Sequence, residues 1–158
     1  MIQIRYGTFE TNSSSTHSLT LRPNYSLEPN YLRVFKDGYI HVELGEFGWE
    51  IENYTDQYHK LSYLLTMIQY FNGLNTYWTN SREERDQEIR ALMLTEDFQR
   101  INEAVAAYAG CEGIIIDPSE GYIDHQSVEC SSLDEFLPTD ILDFIFGAIV
   151  VHTDNDNH

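Results

Sequence analysis

The sequence predicts an α+β fold in which a mainly antiparallel sheet packs against a few helices in a single domain. Strand-like segments cluster near the start of the chain, helical periodicity occupies the middle, and further strands follow it. No strand–helix alternation of the kind that builds a parallel sheet is sustained. At 158 residues the chain has the length of one domain. We therefore expect one domain over residues 1–151 and a frayed acidic tail over residues 152–158.

The first part of the chain predicts two strands and then a hairpin. Residues 2–10 and 17–22 are strand-like and flank a polar block, and a loop with two prolines follows at residues 23–30. Residues 31–35 and 39–44 form the arms of the hairpin, because the Asp37-Gly38 turn between them tolerates positive backbone angles. Alternation in the second arm places three apolar residues on one face and three polar or aromatic residues on the other: Ile40, Val42 and Leu44, against Tyr39, His41 and Glu43.

Three helices are predicted in the middle of the chain. The first begins at Thr55-Asp56 and ends at Asn72-Gly73, and the second begins at a capping box that starts with Ser81. The third begins at Thr95 and continues through Tyr108, with Gly110 ending it. The apolar stripe of the first helix contains Leu61, Leu64, Leu65, Ile68 and Phe71.

The last part of the chain predicts a second hairpin, two short helices and a final strand. Residues 113–117 form a buried strand, and residues 122–128 return as its partner. A capping box at Ser132 begins one short helix, and residues 140–146 form another that ends at Gly147. Residues 148–152 form the last strand.

The polar block between the first two strands is a candidate ligand site. Asn12 and the hydroxyl residues can bond the backbone nearby and so form a compact turn whose donors suit an anion. Glu10 and His17 bracket the block with an acid and an imidazole, which are the ingredients of general-base chemistry. The same composition is also typical of a hairpin loop that binds nothing. The candidate ligand-binding residues here are Glu10, Asn12, Ser13, Ser14, Ser15 and His17.

A second polar patch lies on the returning strand. Its residues Asp124, His125 and Ser127 could face the first patch, in which case His17, Asp124 and His125 are the catalytic candidates and Ser127 contacts the ligand. A buried histidine satisfied by one hydrogen bond is the structural alternative for His125. Trp49, in a segment with two glycines, is either a core anchor or a residue that stacks on a ligand.

Three stretches of the chain carry a family resemblance. They are FETNSSSTHS at residues 9–18, GEFGWE at residues 45–50 followed by a helix containing KLSYL, and YIDHQS at residues 122–127. In these stretches the chain resembles a family of uncharacterised proteins encoded by bacteriophages and by bacteria that carry prophages. That resemblance implies a phage accessory protein in the host cytoplasm, and it supplies no activity.

Charge is the strongest global feature of the sequence. Asp and Glu total 26 against 9 Lys and Arg, giving a net charge of -17. Such a chain is repelled by nucleic-acid backbones and by anionic membranes, and is attracted to basic protein surfaces, although acidity can also serve solubility alone. The two cysteines, Cys111 and Cys130, have no zinc-ligand or disulfide-framework spacing. We therefore expect no bound metal. No signal peptide or membrane-spanning run is present, so we expect a cytoplasmic protein.

Two functions compete on these observations, and the sequence does not decide whether the protein is an enzyme or needs a cofactor. The first is a non-enzymatic inhibitor that binds a basic site on a host or defence protein, with carboxylates in place of nucleic-acid phosphates. The second is an enzyme, or a binder of a small phosphorylated ligand, that uses the Ser, His and Asp residues of the two patches.

Overall fold

The described part of the chain forms eight strands and five helices. The computed structural model describes residues 4–10, 15–21, 26–48, 52–123, 132–137, 140–147 and 149–155, and for residues 4–10, 15–21 and 154–155 it describes the backbone and its pairing. The strands are β1 (Ile4–Glu10), β2 (Ser15–Leu21), β3 (Tyr39–Val42), β4 (Glu46–Phe47), β5 (Glu52–Tyr54), β6 (Gly113–Ile116), β7 (Tyr122–Ile123) and β8 (Ile149–Asn155). The helices are α1 (Gln57–Phe71), α2 (Arg82–Met93), α3 (Glu96–Ala109), α4 (Leu133–Phe136) and α5 (Ile141–Phe146).

Four of the strands form an antiparallel sheet in the order β1-β2-β8-β5. The two N-terminal strands pair with each other, as the sequence predicts. Strand β2 then pairs along its whole length with β8, from Ser15 opposite Asn155 to Leu21 opposite Ile149. The sheet therefore joins the first and last described segments of the chain. Strand β8 also continues to Asn155, beyond the strand end predicted at residue 152.

The remaining strands form two parallel pairs, and here the predicted second hairpin is wrong. Strand β6 pairs with β3, with Ile114 opposite Ile40, and β7 pairs with β4. A strand that is apolar at nearly every position, as β6 is, is typical of parallel pairing between covered faces, and its partner is distant in sequence. The predicted first hairpin is confirmed at its turn, where Gly38 has φ +88° and the Phe35 N–H bonds Tyr39 O at 2.9 Å. Its first arm is reduced to a single bridge between Val34 and Ile40.

The helices begin and end at the capping residues that the sequence indicates. The Asp56, Ser81 and Thr95 side chains accept hydrogen bonds from backbone N–H groups in the first turns of α1, α2 and α3. Gly110 ends α3 in the left-handed conformation at φ +70°. The two short helices near the end are capped by Ser132 and Asp140. Local capping chemistry therefore sets the bounds of the helices.

Helix α1 lies at the centre of the core. Its predicted apolar stripe is confirmed, because four of the five residues are fully buried and Phe71 is partly buried against them. The outward and inward faces predicted for β3 are also correct, since Ile40, Val42 and Leu44 are buried. Aromatic side chains from the short C-terminal helices complete the core, with the Phe136 and Phe144 ring centroids 5.9 Å apart.

The α+β class is confirmed, whereas the expectation of a mainly antiparallel sheet is not. The four-stranded sheet is antiparallel, but the other two described sheets are parallel pairs. None of the helices in the described part of the chain has both the length and the apolarity needed to cross a membrane.

Candidate functional site

The structure describes few of the residues that the sequence singles out as site candidates. Glu10 ends β1, and Ser15 and His17 lie in β2, where the backbone register places Glu10 opposite Thr16 and His17 opposite Thr153. The other candidates lie outside the described residues: Asn12, Ser13, Ser14, Trp49, Asp124, His125 and Ser127. The shared site of His17 and His125 and the compact turn of the polar block therefore stay predictions.

A cleft with a volume of about 510 Å³ lies between residues 31–35, β3 and the start of α1. Its walls are aromatic. Tyr31 is 69% exposed, and Phe35 and Tyr58 are each exposed to more than a third. The Arg33 guanidinium lies over the Phe35 ring, with 4.5 Å between its Cζ atom and the ring centroid. Carboxylates line the same cleft: Glu43, Asp56 and Asp117.

A histidine held between two aspartates lies at one side of this cleft. His41 Nδ1 is 2.9 Å from Asp117 Oδ1, and His41 Nε2 is 2.6 Å from Asp37 Oδ2. The fold brings the three together because Asp37 lies in the turn before β3, while Asp117 follows β6, the parallel partner of β3. Asp37 is fixed further by accepting the Tyr39 N–H at 3.0 Å. Since each ring nitrogen faces a carboxylate, the doubly protonated imidazolium satisfies both contacts.

The pKa of His41 is raised, and the largest cause is its hydrogen bond to Asp117, followed by that to Asp37. The pKa of Asp37 is lowered, first by the Tyr39 N–H and then by His41. When His41 is protonated, its ring is a cation held between two carboxylates. A histidine with both nitrogens engaged in this way stabilises the turn, and it has no nitrogen available as a general base.

The contribution of His41 to stability is expected to fall as the pH rises. Folding raises its pKa above the ordinary value of about 6.5, so the contribution is complete below that value and is lost as pH rises through the folded-state pKa. The difference in unfolding free energy between the wild type and His41→Gln, measured in urea at several pH values, reports this loss. In Asp117→Asn the His41 pKa, followed by NMR, is expected to drop. A difference that grows with pH would contradict this assignment.

A second cleft, of about 250 Å³, adjoins the first and is also acidic. Glu43 and Tyr58 line both clefts, so the two form a continuous surface. Glu46 and Glu52 line the second cleft beside His59, whose Nδ1 is 2.8 Å from Asp56 Oδ2. We call this surface the acidic face. Its carboxylates are Asp37, Glu43, Glu46, Glu52, Asp56 and Asp117.

Basic side chains are scarce on the acidic face. Of the described residues that line the two clefts, Arg33 is the one Lys or Arg. Asp37, Asp56 and Asp117 each contact a histidine, whereas within the described part of the chain Glu43, Glu46 and Glu52 form no ion pair. Three glutamates therefore present uncompensated negative charge beside exposed aromatic rings. Such a surface attracts cations and basic protein surfaces.

Sequence reasoning missed the His41 cluster. The alternation of β3 placed His41 on the outward face, and Asp117 was assigned to the end of a buried strand, but nothing local indicated that the two strands are parallel neighbours. The Asp-Gly turn was the available signal, since it puts an aspartate four residues before an outward-facing histidine. The structure also describes no group of three or more His, Cys, Asp or Glu side chains, within its described ranges, that could hold a metal ion.

Comparisons of the chain with protein-family models, with curated proteins and with solved structures find no match.

Proposed function

We propose that the chain is a non-enzymatic, phage-type accessory protein that binds a basic site on a host or defence protein in the bacterial cytoplasm. The observation that carries the proposal is the acidic face, where carboxylates line two adjoining clefts and Arg33 is the one Lys or Arg among the described lining residues. The net charge of -17 adds long-range attraction to any basic partner. The resemblance to phage proteins supplies the cellular setting.

The partner's site is proposed to be one that otherwise binds nucleic acid. Glu43, Glu46 and Glu52 present negative charges that need not be withdrawn from ion pairs before a partner binds. Carboxylates can replace phosphates opposite Arg and Lys, because both are planar or compact oxyanions that accept charge-assisted hydrogen bonds. Direct nucleic-acid binding by this chain is disfavoured by the same charges.

Competition with DNA tests this proposal. The immobilised protein is incubated with bacterial lysate, and the captured proteins are identified before and after washing with duplex DNA. We expect DNA to displace at least one captured nucleic-acid-binding protein, because the two ligands need the same basic site.

A matched pair of variants separates the acidic face from general acidity. The triple variant Glu43→Gln, Glu46→Gln, Glu52→Gln is expected to lose the DNA-displaceable protein. The control Glu83→Gln, Glu96→Gln, Glu103→Gln removes the same charge from exposed positions on α2 and α3, outside both clefts, and is expected to retain it. Nucleic-acid mimicry by this face would be refuted if DNA did not release the captured protein. It would also be refuted if both variants reduced capture equally.

A further inference from the structure

A rigid loop presents an exposed tryptophan next to the acidic face. The loop comprises residues 75–78, between α1 and α2, and Trp78 is 71% exposed. Large exposed aromatic side chains on a fixed backbone are the residues that most often dominate a protein interface. The end predicted for the first helix at Asn72-Gly73 and the start predicted for the second at Ser81 leave Trp78 in a loop.

Hydrogen bonds within this loop and from Thr76 to α1 and Gly121 fix its backbone. Asn75 Oδ1 accepts the backbone N–H groups of Tyr77 and Trp78 at 2.9 and 3.0 Å. The buried Thr76 hydroxyl donates to Gln69 Oε1 on α1 at 2.6 Å and accepts the Gly121 N–H at 2.8 Å. The backbone that carries Trp78 is therefore held in place before any partner arrives, which lowers the entropy cost of binding.

Three rings meet at the loop, and we call them the aromatic corner: Tyr77, Trp78 and Tyr122. The two tyrosine rings lie 5.0 Å apart at an angle of 32°. The Trp78 ring is nearly perpendicular to both, at 4.7 Å from Tyr77 and 6.3 Å from Tyr122. Beside the corner lies a cleft of about 270 Å³, whose walls include Tyr70, Trp78 and Tyr122. Buried Gln69 and Gly121 also line this cleft. The Gln69 Nε2 group donates to Gly121 O, so these two polar groups already have a hydrogen-bond partner.

Two carboxylates lie beside the aromatic corner. Glu46 is opposite Tyr122 in the β4–β7 pair, and Glu120 precedes Tyr122 by two residues. The charge of Glu46 is also the largest cause of the raised pKa of Tyr77, and Glu120 contributes in the same direction. Both glutamates are exposed. Of the described residues that line the third cleft, none is Lys or Arg. Glu46 also belongs to the acidic face, so the corner continues that surface.

A site formed by aromatic ring faces and carboxylates favours a cationic ligand. A ring quadrupole attracts a positive group within about 6 Å of the ring centroid, and nearby carboxylates strengthen that attraction. A phosphate group is repelled by Glu46 and Glu120, and so is a nucleotide that carries a phosphate. Between the two basic side chains, arginine fits better, because its planar guanidinium stacks on an aromatic face while its N–H groups bond a carboxylate.

We propose that the aromatic corner binds an arginine side chain of the basic partner, with the guanidinium stacked against Trp78 and hydrogen-bonded to Glu46 or Glu120. The inference rests on the proposed function, and it adds that the partner is recognised by arginine rather than by positive charge alone. Trp78 is then the anchoring residue of the interface, and the glutamates of the acidic face supply the attraction around it.

Two short labelled peptides of equal length and charge, oligoarginine and oligolysine, test the assignment by fluorescence anisotropy. We expect the wild type to bind oligoarginine about fivefold more tightly than oligolysine, the factor that one exposed cation–π contact supplies. In Trp78→Ala that preference is expected to disappear, because oligoarginine loses its stacking partner. Because Trp78 is largely exposed, the variant should keep the wild-type melting temperature. An NMR shift of the Trp78 indole N–H with oligoarginine gives a direct second readout.

The outcomes distinguish this inference from the proposed function. An arginine preference that survives Trp78→Ala would overturn the corner as the arginine site and leave the acidic face as the proposed interface. Equal affinity of the wild type for both peptides would also overturn the corner. Failure of both peptides to bind the wild type at low salt would refute the basic-partner function itself.

Discussion

Replacing Lys60 with alanine is expected to lower the free energy of unfolding by about 2–5 kcal/mol, the range for truncating a large buried side chain. Lys60 lies on α1 and is 1% exposed. Its Nζ donates to Gly147 O at 3.3 Å and to Ile149 O at 3.0 Å, which joins α1 to the end of α5 and the start of β8. Alanine removes the donor to two carbonyls and also deletes a buried aliphatic stem.

Two further substitutions separate these causes. Lys60→Met keeps most of the stem and removes the donor, so we expect a smaller loss of about 1–3 kcal/mol. Lys36→Met, at an exposed lysine, is expected to change stability by no more than about 0.5 kcal/mol. Urea unfolding at constant pH measures all three. A loss below about 1 kcal/mol for Lys60→Ala would show that this contact does not hold α1 to the sheet.

Neutralising three glutamates of the acidic face is expected to weaken binding to oligolysine at low salt by about tenfold or more. Exposed ion pairs contribute about 0.2–1 kcal/mol each, and the triple variant Glu43→Gln, Glu46→Gln, Glu52→Gln removes three such charges from one surface. Within the described part of the chain, none of the three forms an ion pair, so their loss breaks no internal salt bridge.

The control variant Glu83→Gln, Glu96→Gln, Glu103→Gln carries the same net charge as the triple variant. Long-range attraction is therefore equal in the two proteins, and any difference in affinity reports the local surface. We expect the control to bind oligolysine within about threefold of the wild type. Equal weakening by both variants would mean that net charge, and no particular face, attracts the peptide.

The helices were predictable because their signals are local. Asp56, Ser81 and Thr95 each bond the backbone within one helical turn, so neighbouring residues suffice to indicate where α1, α2 and α3 begin. The strands β1 and β2 are likewise adjacent in sequence and in the sheet. The parallel pairs were not predictable in this way, because β3 and β6 are separated by three helices and their pairing depends on the packing of the whole chain.

The excess of negative charge was predictable from the sequence, but its location on the fold was not. The charge excess follows from composition. The adjacency of Glu43, Glu46 and Glu52 depends on contacts with α1, where Ser62 donates to Glu43 O, Tyr63 packs against Phe47 and His59 stacks on Tyr54. Trp78 was recognisable as a loop residue, but its fixed and exposed position depends on Thr76 contacting Gln69 and Gly121. Pairings across such distances in sequence carry no periodicity that would reveal them.

The salt dependence of binding tests the acidic face most directly. Oligolysine affinity is measured by anisotropy from about 50 to 500 mM NaCl for the wild type, the triple variant and the control variant, a range over which the screening length falls severalfold. We expect affinity to fall steeply with salt for the wild type and the control, and the triple variant to show a distinctly shallower slope. Affinity of the wild type that does not change with salt, or the same slope in all three proteins, would contradict binding through the acidic face.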